Sequence, residues 1–289
     1  MMRAMSAFDV DLAGLLRVFG GHLYSDPAVF VRELVQNAAD AIVLRRAEEP
    51  AHPGRIDIRC EEAAITFDDD GAGLDREGIT LALGRIGYST KRGGAPSGTS
   101  GQFGIGLLSG FLVADTIAVT TRRRDRAALR WTGRADGTWT VEDAEKVEVG
   151  SSVRLVLKAP MPRDRVRALL LRYVRHLPIP LFLDGERVDQ PAPWRVPDPP
   201  GPIEATRAWV EERGGEAMAV LPIEGGVLWI HTERARPEGR VTLLQNGILI
   251  EDAARDLLPG WAGFASGAID APSLSPTASR ETYVRDAAS

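Results

Sequence analysis

An α/β fold built on a mostly antiparallel sheet, followed by a smaller α/β unit, is the architecture the sequence predicts, and three observations carry it. Apolar residues Val31, Leu34, Val35, Ala38 and Ile42 recur at helical spacing, so a core-facing helix runs from near Pro27 to Arg46 or Ala47. Short alternating runs with β-branched residues, separated by turn residues, recur between Arg55 and Leu157 and again beyond Ala217. Gln190–Pro202, QPAPWRVPDPPGP, resists both helix and sheet and marks a domain boundary. With 289 residues and 44% hydrophobic content, the chain can bury a sizeable core and divides naturally into two domains.

In chain order, Phe8–Asp11 reads as a short strand and Leu12–Phe19 as a helix after it. Ser25 and Asp26 ahead of Pro27 supply a cap, because a side-chain oxygen accepts orphan N–H groups and proline fits a first helical turn. Arg55–Cys60 and Ala64–Asp68 are strands joined by the acidic turn Glu61–Glu62, and Arg76–Ile86 is helical. Gly87–Ser100, rich in Gly, Ser and Thr, is either a disordered connection or a mobile lid. Leu107–Ala114 is apolar and reads as a helix. Thr116–Thr121, Ala127–Thr132, Thr138–Val141 and Ser152–Leu157 are further strands, with Arg122, Arg123, Arg124 and Arg126 at a solvated hairpin tip between the first two. Arg163–His176 is a helix with its apolar face at Val166, Leu169, Leu170 and Tyr173, and Pro178–Leu183 is an edge strand, where proline is tolerated. Ala205–Arg213, Ala217–Ile223, Gly226–Thr232 and Arg240–Ile250 build the second unit.

Composition narrows the function classes. A formal net charge of -5 gives no electrostatic footprint for nucleic acid. The one cysteine, Cys60, excludes an intrachain disulfide and a zinc–cysteine cluster and fits a reducing compartment. No apolar run is long enough to span a membrane, and MMRAMSAFDVDLAGLL carries acidic residues where a signal peptide would be continuously apolar, so a cytoplasmic protein is expected.

Three motifs carry chemistry. Glu33, Asn37 and Asp40 lie three or four residues apart and so share one helix face, which is either a solvated polar stripe or part of a site. A carboxylate can orient or deprotonate a water, and an amide oxygen can ligate Mg²⁺. Asp68-Asp69-Asp70-Gly71-Ala72-Gly73-Leu74 leaves a strand as a metal site or as a plain loop, with glycines that permit a tight turn and close backbone approach. Gly101-Gln102-Phe103-Gly104-Ile105-Gly106 precedes an apolar segment and exposes backbone N–H groups of the kind that bind phosphates, yet it is neither a GxxxxGK[ST] loop nor a dinucleotide-binding fingerprint.

Together, HLYSDPAVFVRELVQNAADAI, DDGAGL and SGQFGIGLLSGFLVAD, in this order, resemble the heat-shock protein 90 chaperone family within the GHKL group of ATPases. VGSSVRLVLK is similar to the closing strand of that family's nucleotide domain, APW to the start of its middle domain, and VTLLQNGILIEDAARDLLPGWAGFASGAIDAPSLSPTASRE to its middle-domain catalytic segment. The resemblance implies an ATP-binding domain over residues 1–188, folded as a Bergerat-type two-layer sandwich of sheet and helices, and the first part of a middle domain over 189–289. It implies that Glu33 polarises the attacking water, Asn37 helps hold Mg²⁺ and Asp40 lines the same pocket. Asp69 would accept the adenine amino group, Gly73 would let backbone approach the base, and Ser151 would support that contact. Gly101, Gln102, Phe103, Gly104, Ile105 and Gly106 would give N–H groups to the phosphates beneath a lid near Gly84–Ser100 in which Lys91 is a ligand, and Arg280 would reach the γ-phosphate.

The implied activity is Mg²⁺-dependent ATP hydrolysis driving a protein-folding chaperone that acts on unfolded or client proteins, with a homodimer formed through regions outside this chain. Two departures stand out: the lid segment GRIGYSTKRGG is shorter and richer in glycine than the family pattern, and Val284 replaces a glutamine. A DNA-linked ATPase of the MutL or topoisomerase kind ranks second, because those relatives use a lysine where this chain offers Arg280. A nucleotide-gated binding module without hydrolysis is the non-enzyme alternative.

Overall fold

The computed structural model describes residues 14, 26–83, 106–213, 215–232, 239–254, 257–274 and 277. The chain divides into two compact units, Met1–His52 with Ile58–Pro162, and Pro53–Asp57 with Arg163–Ser289. Gln190–Pro202 therefore lies inside the second unit.

The first unit is organised by the strands β1 (Ile56–Glu61), β2 (Ala64–Asp69), β3 (Ala114–Arg122), β4 (Leu129–Arg134), β5 (Trp139–Asp143) and β6 (Gly150–Leu157), in the spatial order β5-β4-β3-β6-β2-β1. The pairs β2–β6, β3–β4, β3–β6 and β4–β5 are antiparallel, as the alternating runs predict. Register matters most at one place, where Ser151 of β6 stands opposite Asp69 of β2 on one side and Thr121 of β3 on the other.

Asp26 caps the chain entering this layer, its Oδ1 accepting the Ala28 N–H at 2.9 Å before the 3₁₀ turn Pro27–Val29 and helix α1 (Phe30–Glu48). Val31, Leu34, Val35, Ala38 and Ile42 are all buried, and Phe30 meets Phe67 of β2 edge to face with centroids 6.4 Å apart. The helix is more enclosed than a one-faced stripe implies, since Arg32, Glu33, Gln36 and Asp40 are buried too. It packs against β2 and also against the segment Gly106–Leu112.

One element differs from expectation here. Gly106–Leu112 is a 3₁₀ helix and Ala114 already belongs to β3, so Leu107–Ala114 is not an α-helix. The turn lies close on the sheet: a methyl built at Gly110 would stand 2.8 Å from Ile117 Cδ1. Helix α2 (Arg76–Ala82) is capped by Asp75, whose Oδ1 accepts the Gly78 N–H at 2.8 Å; the expected continuation to Ile86 lies outside the described residues. At the β3–β4 connection, Arg123 pairs with Glu48 at 3.0 Å and Arg124 pairs with Glu49, which gives the basic run a structural task of tying the hairpin to the end of α1.

The second unit contains α3 (Arg163–Tyr173), with Val166, Leu169, Leu170 and Tyr173 buried as expected, then β7 (Leu181–Leu183) and β8 (Glu186–Arg187). The expected edge strand over Pro178–Leu183 is shortened to three residues and is not outermost, because β8 pairs along it. Proline at 178 and 180 leaves that stretch without two ladder donors. Helix α4 (Gly201–Glu211) then precedes β9 (Ala217–Ile223), β10 (Gly226–His231), β11 (Arg240–Gln245), β12 (Ile248–Ala254) and β13 (Ala265–Asp270). These form a mixed sheet ordered β12-β11-β13-β10-β9, in which β11 and β13 run parallel. The segment Arg240–Ile250 holds the turn between β11 and β12, made at Asn246 and Gly247 with φ values of 53° and 79°. Val210, Ala217, Val227, Trp229 and Ala268 form its core.

Candidate nucleotide site

The described part of the candidate site lies in the first unit and is assembled from α1, the loop after β2, the start of the 3₁₀ segment and the end of β6. On α1, Glu33 is buried and pairs with Arg32, whose Nε and Nη2 donate to Glu33 Oε1 at 3.3 and 3.2 Å. Both bonds engage one carboxylate oxygen, and the other, Oε2, faces Gly106. A methyl built on Gly106 would stand 3.0 Å from Glu33 Oε2 and 3.4 Å from Asn37 Nδ2. A side chain at this position would crowd Glu33, so the last glycine of the Gly101–Gly106 motif lies close beside the carboxylate–amide pair of α1.

Asn37 is the exposed member of the polar stripe, while Asp40 is buried, its Oδ1 accepting the Gln36 Nε2 donor at 3.0 Å. The stripe expected on one face is thus split: Glu33 and Asn37 border Gly106, and Asp40 is held within the helix by a neighbour one turn back. Asn37 fits the part of a Mg²⁺ ligand by its chemistry, because Mg²⁺ is held by one or two protein oxygens plus substrate phosphates. Its Nδ2 is turned toward Gly106, so the amide must rotate by half a turn to present oxygen there. Among the described residues no three His, Cys, Asp or Glu side chains form a metal cage, and Asp68 and Asp69 are the last residues of β2.

Asp69, at the end of β2, accepts the Gly71 N–H on Oδ1 at 2.9 Å. Burial of the carboxyl group pushes its pKa up to about 7, and the neighbouring Asp70 charge adds to the rise. The loop after it is fastened to α1, with Ala72 N–H donating to Ala41 O at 2.9 Å and Arg45 Nη1 to Asp70 O at 2.7 Å. Gly73 has φ +65°, and a side chain there would overlap the Arg122 carbonyl oxygen, so its glycine is required by packing on β3. Gly73→Ala is therefore expected to cost about 2 kcal/mol or more, combining left-handed backbone strain with that overlap, as read by chemical denaturation.

The structure brings Glu33, Asn37 and Gly106 together, and separately places Asp69 opposite Ser151. Gly101, Gln102, Phe103, Gly104, Ile105, Lys91 and Arg280 lie outside the described residues, as does the expected lid from Gly84 to Ser100. Three residues absent from the sequence reading belong to the site's framework: Arg32, Gln36 and Thr121. The adjacency of Arg32 to Glu33 was the only sequence signal among them.

The chain is similar to known proteins. Residues 24–156 match the family described as histidine kinase-, DNA gyrase B-, and HSP90-like ATPase. A chaperone protein HtpG from Methylobacterium sp. (strain 4-46) is 31% identical over 95% of this chain and 52% of its own length. One from Psychrobacter arcticus is 29% identical over 95% of this chain and 53% of its own. The bovine protein heat shock protein 75 kDa, mitochondrial, is 28% identical over 95% of this chain and 45% of its own. The chain spans about half the length of the curated relatives it matches.

Proposed function

We propose that the chain is an HtpG-like member of the GHKL ATPases, with its ATPase-type domain in residues 24–156, and that it binds ATP with Mg²⁺, hydrolyses it, and couples hydrolysis to a chaperone cycle acting on unfolded client proteins. The carrying observation is the approach of Gly106 to Glu33 Oε2 and Asn37 Nδ2. In this reading the Gly101–Gly106 backbone cradles the phosphates, Glu33 accepts a proton from the attacking water, and Asn37 holds the metal that neutralises phosphate charge. Asp69 accepts the adenine amino group with Ser151 beside it, Asp40 supports the helix behind the pocket, and Gly73 shapes the loop. Arg280 stabilises charge at the γ-phosphate, and Lys91 contacts nucleotide from the lid. Residues 1–188 act as the nucleotide domain and 189–289 as the start of a middle domain. The protein works in the cytoplasm, as a homodimer.

A phosphate-release assay tests the proposal. Release is expected with Mg²⁺ and ATP and to fall to background on chelation, because the metal shields the phosphate charge. Turnover unaffected by chelation contradicts the metal role; stimulation by duplex DNA instead favours the DNA-linked alternative.

A further inference from the structure

One buried hydroxyl ties together the three segments around Asp69. Asp69, Ser151 and Thr121 stand in a row across β2, β6 and β3. Thr121 is 0% exposed, so it touches no ligand itself. Its Oγ1 accepts the Leu74 N–H at 2.8 Å, lies 3.0 Å from Ser151 Oγ and 3.3 Å from Gly150 O. A hydroxyl has one proton and two lone pairs. Leu74 occupies one lone pair, leaving the other and the proton to Ser151 and Gly150, so the Ser151 hydroxyl is held whichever of the two donates.

Leu74 follows Gly73, at the far end of the loop that begins at Asp69, and the near end is closed by the Gly71 N–H on Asp69 Oδ1. The acceptor facing the base is thus fixed at one end by its own loop and at the other by Thr121, over a sequence separation of 47 residues. We infer that Thr121 is a positioning residue for base recognition: it locks the glycine loop and the Ser151 hydroxyl into the arrangement in which Asp69 meets the exocyclic amine of adenine. The inference rests on the reading of Asp69 as the adenine acceptor. Removing the hydroxyl would leave the Leu74 N–H without this acceptor and let loop and serine move independently.

The test compares binding of ATP with binding of purine riboside triphosphate, in which hydrogen replaces the 6-amino group, by calorimetry on the whole chain. Wild type is expected to prefer ATP about tenfold, the scale of one hydrogen bond to a charged group. Thr121→Val is expected to cut that preference to about twofold or less, by weakening ATP and sparing the analogue, and Thr121→Ser to keep it. Thr121→Cys, which retains bulk but is a weak hydrogen-bonding group, is expected to behave as valine does, and serves if the valine chain fails to fold. Equal weakening of both nucleotides in Thr121→Val or Thr121→Cys overturns the inference, since it marks a purely structural residue. Absence of any preference in wild type overturns instead the Asp69 reading on which it rests.

Discussion

The Glu33→Ala chain is expected to release phosphate at least about a hundredfold more slowly than wild type, the usual scale for losing a general base, while ATP affinity stays within about twofold. The reasoning is geometric. Oε2 of Glu33 faces Gly106, which puts it where it can take a proton beside bound phosphates. Alanine also removes the partner of a buried arginine and is expected to lower stability, which a thermal melt will show. Glu33→Gln separates the effects, because it keeps an acceptor for Arg32 yet is a poor base. If glutamine restores the melting temperature without restoring turnover, Glu33 acts on the reaction; if it restores both, its role is structural.

Asp69→Asn is expected to weaken ATP binding by about 3 kcal/mol, roughly a hundredfold, because an acceptor-only carboxylate is exchanged for an amide whose NH₂ can oppose the adenine amine. The carboxyl also predicts a pH dependence. Burial raises its pKa from the model-compound 3.8 to about 7, so the ionised form that accepts from adenine grows as pH rises through 7. Wild-type affinity should therefore increase about tenfold between about pH 6 and pH 8, and the asparagine chain should lack that component of any change. Stability runs the other way. Between 3.8 and about 7 the unfolded chain releases this proton while the folded chain retains it, so the fold loses stability as pH rises across that window. Asp69→Asn should thus melt higher relative to wild type at pH 8 than at pH 4. A wild-type affinity flat in pH, matching the asparagine chain, contradicts the assignment.

The elements with a strong period were legible in the sequence. Helix α1 showed its apolar positions at helical spacing, and β2, β6 and β9 emerged close to their observed bounds. What failed was structure set by a second contact. Gly106–Leu112 looked helical by composition, yet it is a 3₁₀ turn that lies close on the sheet at Gly110 and beside Glu33 at Gly106. The Asn246-Gly247 turn was missed because the apolar residues on both sides made one continuous run. In the site, Glu33 and Asn37 were readable as a helical pair, and the fold supplied their neighbour Gly106. Thr121 was not readable at all, since a threonine in a strand is ordinary and its partner Leu74 lies 47 residues earlier.

The most direct measurement is a crystal structure of the chain with Mg²⁺ and a non-hydrolysable ATP analogue. The account predicts the adenine amino group on the Asp69 carboxylate, the metal on the Asn37 amide oxygen, and the γ-phosphate beside Gly106 with a water on Glu33 Oε2. Adenine bound away from Asp69, or phosphates bound away from Gly106 and Glu33, would contradict it.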